Sequence, residues 1–449
     1  MQALSGFANA LKMKDLRTKI LFTLGILIIY RLGGHITTPG VNTAVLAQYF
    51  AQNNNNLFGM YDAFTGGAFQ KATIFAIGIM PYISASIIIQ LMGSVVPSVQ
   101  QLQKEGAEGR AKINQWTRYL TVLISVLQSY GIATWLVTMK VNTGMGEAQV
   151  ILEHFSSPMG IWGFKALTVL TMTTGTIFIM WLGEQINNRG LGNGISLIIF
   201  IGIISTVPAT AWGEFEQFLS GDKKLPMEVI IISTVIAIIT FIVFVEQGTR
   251  RIPLQSPRQT QGSQLASGQA GFLPFKVNTA GVIPVIFASS IMFLPGMLGQ
   301  MLSEYSFAQS FLAAFTPGHW VYSLIMALLI IFFAYFYTAI QYNPSDIADN
   351  LKKNGSFIPG VRPGRATAEF IDRVLTRITL PGSLFLALIS VGPLHLKDAL
   401  GMSFYIGGTS VLIVVGVALD TLRQLEAQLH TKNYDGFLKK GRIRGRNAS

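Results

Sequence analysis

The sequence predicts an all-α polytopic membrane protein: ten transmembrane helices in two inverted five-helix halves around a central pore, with a short re-entrant plug helix. Three observations predict it. Half of the 449 residues are hydrophobic and only 12% are charged, against about a quarter in soluble proteins. The apolar residues gather in continuous runs of about 20, the length that crosses a hydrocarbon core as a helix; without alternation of apolar and polar positions, such runs exclude a transmembrane barrel. Finally, an apolar segment carrying both Gly and Pro occurs twice, as GIMPYISASII at 78–88 and GVIPVIFASSI at 281–291.

In chain order, a basic amphipathic stretch at 4–19 suits a helix lying on the membrane surface, and no cleavable signal peptide is expected. Spans follow near 20–36, 73–96, 118–139, 163–183, 191–211, 227–245, 276–298, 319–340, 375–393 and 404–422. The chain divides into a cytoplasmic N-terminal segment (1–19), an N-terminal half (20–215), a C-terminal half (216–422) and a basic tail (423–449). Most of the 33 basic residues fall on the side of the N-terminus, so the positive-inside rule makes both termini cytoplasmic. Orientation and attraction to anionic lipid account for part of this basic face. The inner loops at 246–275 and 341–374 are longer and richer in charge than topology needs, which favours a docking surface as well.

Ten spans form two sets of five, and a second copy of an odd-numbered unit must enter the membrane the other way up. The quoted segments lie in spans 2 and 7, equivalent places in the halves, and share Gly78/Gly281, Pro81/Pro284, Ile83/Ile286, Ala85/Ala288, Ser86/Ser289 and Ile88/Ile291. Spans 5 and 10 correspond more weakly, through Gly194/Gly408, Ser196/Ser410 and Ile199/Ile413. Interrupted spans at matching places point to the pathway of an inverted-repeat protein. Ordinary use of Gly and Pro in membrane helices is the bland alternative.

The residues offered to that pathway are isoleucines. Ile79 and Ile83, like Ile195 and Ile199, are four apart and share a helix face; Ile286 and Ile413 are their counterparts. Any one of them, taken alone, reads better as helix packing. Six at related positions make a ring that offers a passing ion no hydrogen bond and that dewets when narrow. Ahead of span 2, LFGMYDAFTGGAFQ (57–70) is too short to cross. A re-entrant piece beside a constriction reads as a plug, with Gly66 and Gly67 as a flexible joint; an outer surface loop is the plain alternative.

Several function classes fall away. The chain has no cysteine, so disulfides and thiolate chemistry are excluded. No G-x-x-x-x-G-K-[ST] loop occurs and the five histidines are scattered, so no cofactor or metal is expected, nor an enzyme. A secondary transporter or lipid flippase fits the inverted repeat, but it needs an ionisable couple in mid-span. Arg31, Lys165, Glu184 and Asp420 all fall near span ends. An intramembrane enzyme needs a nucleophile and base that no span pairs in sequence.

Long blocks in order, among them FTGGAFQKATIFAIGIMPYISASIIIQL (64–91), WLGEQINNRGLGNGISLIIF (181–200), FKVNTAGVIPVIFASSI (275–291) and the run YNPSDIADNLKKNGSFIPGVRPGR (342–365), resemble the SecY family, the channel-forming subunits of the bacterial Sec protein translocase. The resemblance implies an hourglass-shaped, multi-pass channel of the bacterial plasma (inner) membrane. It passes unfolded secretory polypeptides and opens sideways to lipid between spans 2/3 and 7/8. It also implies a passive channel driven by the motor ATPase SecA or the translating ribosome. On that resemblance the pore ring is Ile79, Ile83, Ile195, Ile199, Ile286 and Ile413. The plug and hinge are Phe58, Tyr61, Phe64, Gly66 and Gly67, and the lateral gate that binds the signal sequence includes Ser86, Gln90, Gln128 and Ser289. The contacts for SecA and ribosomal RNA are Arg250, Arg251, Lys352, Lys353, Arg362 and Arg365. Implied partners are SecE and SecG in a heterotrimer, SecA, the ribosome, signal sequences and nascent polypeptides, anionic lipids, and further out SecDF and YidC. One stretch departs from the family pattern: 254–272 is rich in Gln and Ser with only Arg258 basic, so the docking load is expected to shift toward 341–370.

Overall fold

The computed structural model describes residues 13–52, 57–142, 147–155, 157–221, 225–255, 260–261, 264–265, 271–301, 315–400 and 407–440. The N-terminal half holds α1 (Lys14–Gly33), α2 (Thr43–Gln52), α3 (Leu57–Thr65), α4 (Met80–Val95), α5 (Pro97–Lys104), α6 (Ala107–Thr138), α7 (Pro158–Arg189) and α8 (Gly194–Leu219). A two-stranded ribbon, β1 (Lys140–Asn142) with β2 (Glu147–Gln149), joins α6 to α7. The C-terminal half holds α9 (Leu225–Gln247), α10 (Ile283–Met301), α11 (Trp320–Gln341), α12 (Pro344–Lys353), α13 (Arg365–Leu400) and α14 (Gly408–Lys440). An antiparallel hairpin, β3 (Thr249–Leu254) with β4 (Gly271–Lys276), links α9 to α10.

Helix starts follow local chemistry. Ser157 caps α7 by accepting the Gly160 N–H at 3.1 Å, with Pro158 in the first turn. Asn193 caps α8 by accepting from the Ile195 and Ser196 N–H groups, and Asn343 caps α12 ahead of Pro344. Each side-chain oxygen satisfies donors that the first turn leaves unpaired.

Each of the ten expected spans overlaps a helix among the described residues, with corrections at the first, second and seventh. Among the described residues seven helices are long and apolar enough to cross a membrane, and the pair α4–α5, bent by 105°, makes an eighth. Of the other two, α1 is diluted by Lys14, Asp15, Arg17, Lys19 and Arg31, and α10 carries no charged residue from Ile283 to Met301 but starts seven residues into its expected span. The separate surface helix expected at 4–19 is also corrected: residues 14–19 run on into the first span, and 4–12 lie outside the described residues.

The third correction concerns the repeated Gly/Pro segments, which begin helices and do not bend them. Gly78 has φ +61 and Gly281 φ +64, a left-handed backbone that glycine adopts without penalty. Each helix starts two residues later, at Met80 and Ile283, with the proline second in its first turn, where no N–H is required. Predicted spans 2 and 7 therefore lose their first residues to irregular chain. The repeat also shows in close packing. A side chain on Gly175 of α7 would collide with the Ile74 carbonyl, and one on Gly382 of α13 with that of Val277. Gly194 lodges against the Gly183 carbonyl and Gly408 against that of Ile389. Each half thus seats its fourth and fifth spans by the same close approaches.

The halves meet along α4 and α6 against α10 on one side and α8 against α14 on the other, with α3 between them on α8 and α10. One apolar core runs through both halves. A second joins the hairpin to the segment 342–378, and a third packs Leu16, Ile20 and Leu191 with Leu425 and Leu429.

Candidate functional site

At the centre of the shared core lies a small closed space. Ile79, Ile199, Ile286 and Ile413 line it, with Phe64 and Thr65 from the plug segment and Ile198 and Met80 beside them. Four of the six expected ring residues are thus brought together from both halves. Ile79 sits at the N-cap of α4, not on its body, and its carbonyl accepts the Ile83 N–H at 3.1 Å. Ile83 is buried in the same cluster without lining the space, and Ile195 packs half-buried against that cluster. The lining is mainly apolar, with Tyr30 and Thr65 its polar side chains, so water entering it would lose most of its hydrogen bonds.

The expected plug segment is held by α1, α8, α10 and the chain ahead of α4. Tyr61 donates its hydroxyl to the Ile77 carbonyl and stacks on Phe293 of α10 with centroids 4.1 Å apart. Arg31 of α1 donates to the Gly66 carbonyl at 2.7 Å. Gly66 and Gly67 have φ +70 and +85, and the Gly67 N–H closes back on the Asp62 carbonyl at 3.1 Å. The expected flexible joint is therefore a tight left-handed turn ending α3. A side chain at Gly66 would stand 2.7 Å from the Gly202 carbonyl, so the turn sits directly on α8. Phe58 belongs to α3, and its side chain lies outside the described residues. Beyond the plug opens a vestibule of about 490 Å³ whose lining includes Arg31, Asp62, Lys71 and Glu214. Asp62 accepts the Gln70 N–H at 2.8 Å, and burial pushes its carboxyl from the ordinary 3.8 up to about 6.

Across the α4–α10 seam, Ser290 donates to the Met80 sulfur at 3.4 Å. Ser289, the expected gate residue, returns its hydroxyl to the Val285 carbonyl at 2.9 Å and borders a second small cavity with Tyr61, Phe64 and Met80. Ser290 stands four residues after Ile286, so the face that named the isoleucine also holds the serine. Gln90 donates to Ser86 at 3.1 Å along α4. Gln128 of α6 is buried, and its Oε1 has no hydrogen-bond partner among the described residues.

At the base of α10, Asn278 donates to Glu246 Oε1 at 2.6 Å and to the Gly281 carbonyl at 3.1 Å, while Arg423 donates to the Glu246 carbonyl at 3.0 Å. This clasp fixes the turn from which α10 starts, and sequence spacing gave no sign of it. Arg250, Arg251, Lys352, Lys353, Arg362 and Arg365 are all exposed. Arg251 lies over the Phe272 ring at 4.9 Å. Arg362 stands on a loop whose turns are set by Gly360 (φ +81) and Gly364 (φ +102), anchored by buried Ile358. The two loops form one platform: Ile252 and Phe275 share a core with Ile358, Ile371 and Leu375, and Gln255 and Phe357 exchange backbone hydrogen bonds at 2.9 Å. Arg258 and the end of the tail at 441–449 lie outside the described residues.

The SecY family profile matches residues 73–422 of the chain. The chain is 43% identical over 434 residues to the protein translocase subunit SecY of Haemophilus influenzae, covering 96% of each. In structure it is similar to a protein-conducting channel, with a TM-score of 0.67 at 20% identity over 93% of this chain and 94% of that one. It is also similar to Sec61 from the canine ribosome–channel complex of the endoplasmic reticulum, with a TM-score of 0.62 at 17% identity over 93% and 94%.

Proposed function

The chain belongs to the SecY family of protein-conducting channel subunits, and from that membership we propose that it passes unfolded secretory polypeptides across the bacterial inner membrane and releases apolar segments sideways into lipid. It is a channel subunit and not an enzyme. The observation that carries the reading is the closed space where Ile79, Ile199, Ile286 and Ile413 from both halves meet Phe64 of the plug. An apolar constriction of this kind excludes ions at rest and yields to side chains of any chemistry when the plug leaves.

In this reading the six isoleucines form the seal, and Tyr61, Phe64, Gly66 and Gly67 seat the plug. Ser86, Gln90, Gln128 and Ser289 line the lateral gate between α4/α6 and α10/α11. Force comes from a partner ATPase of the SecA type or from a translating ribosome docked on Arg250, Arg251, Lys352, Lys353, Arg362 and Arg365. Arginine suits both, because its planar fork pairs with carboxylate or RNA phosphate. SecE and SecG complete the assembly, and both termini face the cytoplasm.

The test is site-specific photo-crosslinking from Ile83, Ile199 or Ile286 to a stalled radiolabelled precursor in vesicles with the motor and ATP. A crosslink requiring both ATP and a signal sequence is the expected result. Engaged precursor with no crosslink from any of the three positions would show the isoleucines to be packing alone.

A further inference from the structure

A groove of about 520 Å³ runs along the outer surface of the N-terminal half between α6 and α7, bordered by Val126, Tyr130, Trp162, Lys165, Val169 and Leu170. Its chemistry is uneven along its length. At one end the Lys165 ammonium stands between two aromatic rings, 5.6 Å from the Tyr130 centroid and 5.7 Å from that of Trp162. Below it the wall is apolar. The two hydroxyls there are already used, Thr174 donating to the Leu170 carbonyl at 2.7 Å and Thr173 lying 3.3 Å from the Ser129 hydroxyl.

The other end of the same helix pair makes an instructive contrast. There Arg118 donates to both oxygens of Glu184, at 2.8 and 2.7 Å, and the cation is matched within the protein. Among the described residues no carboxylate lines the groove around Lys165. Its ring neighbours offer only the weak attraction of their faces. A cation half-buried beside lipid without an acid is costly unless it reaches the interface or an anion reaches it. Trp162 and Tyr130 are the residue types that mark the headgroup level, and Lys165 lies seven residues inside the α7 start at Pro158. From Lys165 to Thr174 the helix runs about 13 Å, which gives an acyl chain an apolar track under a cationic head.

We propose that this groove binds one anionic phospholipid of the outer leaflet, its phosphate on Lys165 between Trp162 and Tyr130 and one acyl chain along Val126, Val169 and Leu170. A membrane-spanning protein segment fits less well, since the polar groups with room to bond gather at one end of the groove, on Lys165, Trp162 and Tyr130, while the wall below them is apolar, and a phosphate oxygen gives the ammonium a charge-assisted hydrogen bond. The assignment of leaflet rests on the orientation proposed above; the chemistry of the groove does not.

The experiment uses the full chain in phosphatidylcholine vesicles containing a minor fraction of phosphatidylglycerol with a photoreactive acyl chain. Labelling is expected in the peptides around 126–130 and 166–174. Lys165→Gln should reduce it several-fold, Lys165→Arg should restore it, and Leu170→Trp, which fills the track, should remove it while precursor transport persists. Equal labelling by a photoreactive phosphatidylcholine, or labelling unchanged in Lys165→Gln, would overturn the proposal. So would a photoreactive amino acid at Leu170 that crosslinks in native membranes to a protein in place of lipid. If transport fails in the parent chain while labelling follows Lys165, the channel reading fails and the lipid site stands.

Discussion

Replacing Ile286 with Ala removes a 7%-exposed side chain from the lining of the proposed seal, at a cost of about 2–5 kcal/mol for a well-packed site. A core shared by both halves absorbs that loss without unfolding, so the expected outcome is a folded channel with raised resting ion conductance in planar bilayers. Ile286→Val, which keeps most of the volume, should leave conductance near the parent's; equal conductance in the Ala variant would remove this residue from the seal. Asp62 adds a pH dependence. Its carboxyl is raised from 3.8 to about 6 when the plug is seated, mainly by burial, so the seated plug favours the protonated form. The seating gain is full below the ordinary value and is lost as pH rises through about 6. Arg31, Lys71 and Glu214 line the same vestibule. In an Ile286→Ala background the leak should therefore rise as outer pH goes from about 5 to about 8, and Asp62→Asn should flatten the response. A leak equally steep in both would rule out Asp62 as the titrating group.

The repeat acts at the scale of the element, where two kinds of glycine can be separated by substitution. A side chain on Gly281 would meet nothing within 4 Å, so Gly281→Ala carries only the left-handed backbone strain, about 1–2 kcal/mol. It should lower thermal stability modestly and leave the channel assembled. Gly408 faces the Ile389 carbonyl at a distance no side chain tolerates, so Gly408→Ala should prevent α14 from seating, seen as loss of folded monomer in size-exclusion chromatography. Matching stabilities for the two variants would refute the division. The same contrast explains what the sequence could disclose. Gly78/Gly281 and Gly194/Gly408 were legible as a repeat because whole blocks around them match. Their roles were not, since Gly followed by Pro fits a kink as well as a helix start until φ at the glycine is known. The spans were legible from composition, except where charge on α1 weakens the hydropathic signal. Asn278 and Glu246 are 32 residues apart and follow no period, so only folding discloses the clasp.

At the scale of the whole molecule the loops at 246–275 and 341–374, expected to offer a docking surface, are mechanically one. Phe275 of β4 is buried against Ile358, Ile371 and Leu375 from the other loop, and its ring meets Tyr342 edge-on at 5.9 Å. Three residues after Phe275, Asn278 holds Glu246 and the Gly281 carbonyl from which α10 begins. A load applied at Arg362 therefore reaches a helix of the expected gate through packed side chains and three residues of clasped chain, with no flexible linker between. Two substitutions separate docking from transmission. Arg362→Glu reverses an exposed charge on a loop whose turns are set by glycine, so the fold and membrane insertion should persist while motor-driven precursor transport falls sharply. Phe275→Ala removes a buried ring worth about 3–5 kcal/mol and leaves every docking arginine in place. It should raise protease sensitivity at 250–276 and 342–365 together, preserve motor binding to within a few-fold, and uncouple bound motor from transport. Sensitivity rising in one loop alone would show two independent surfaces. Normal transport in Phe275→Ala with both loops loosened would show that force does not travel through the shared core.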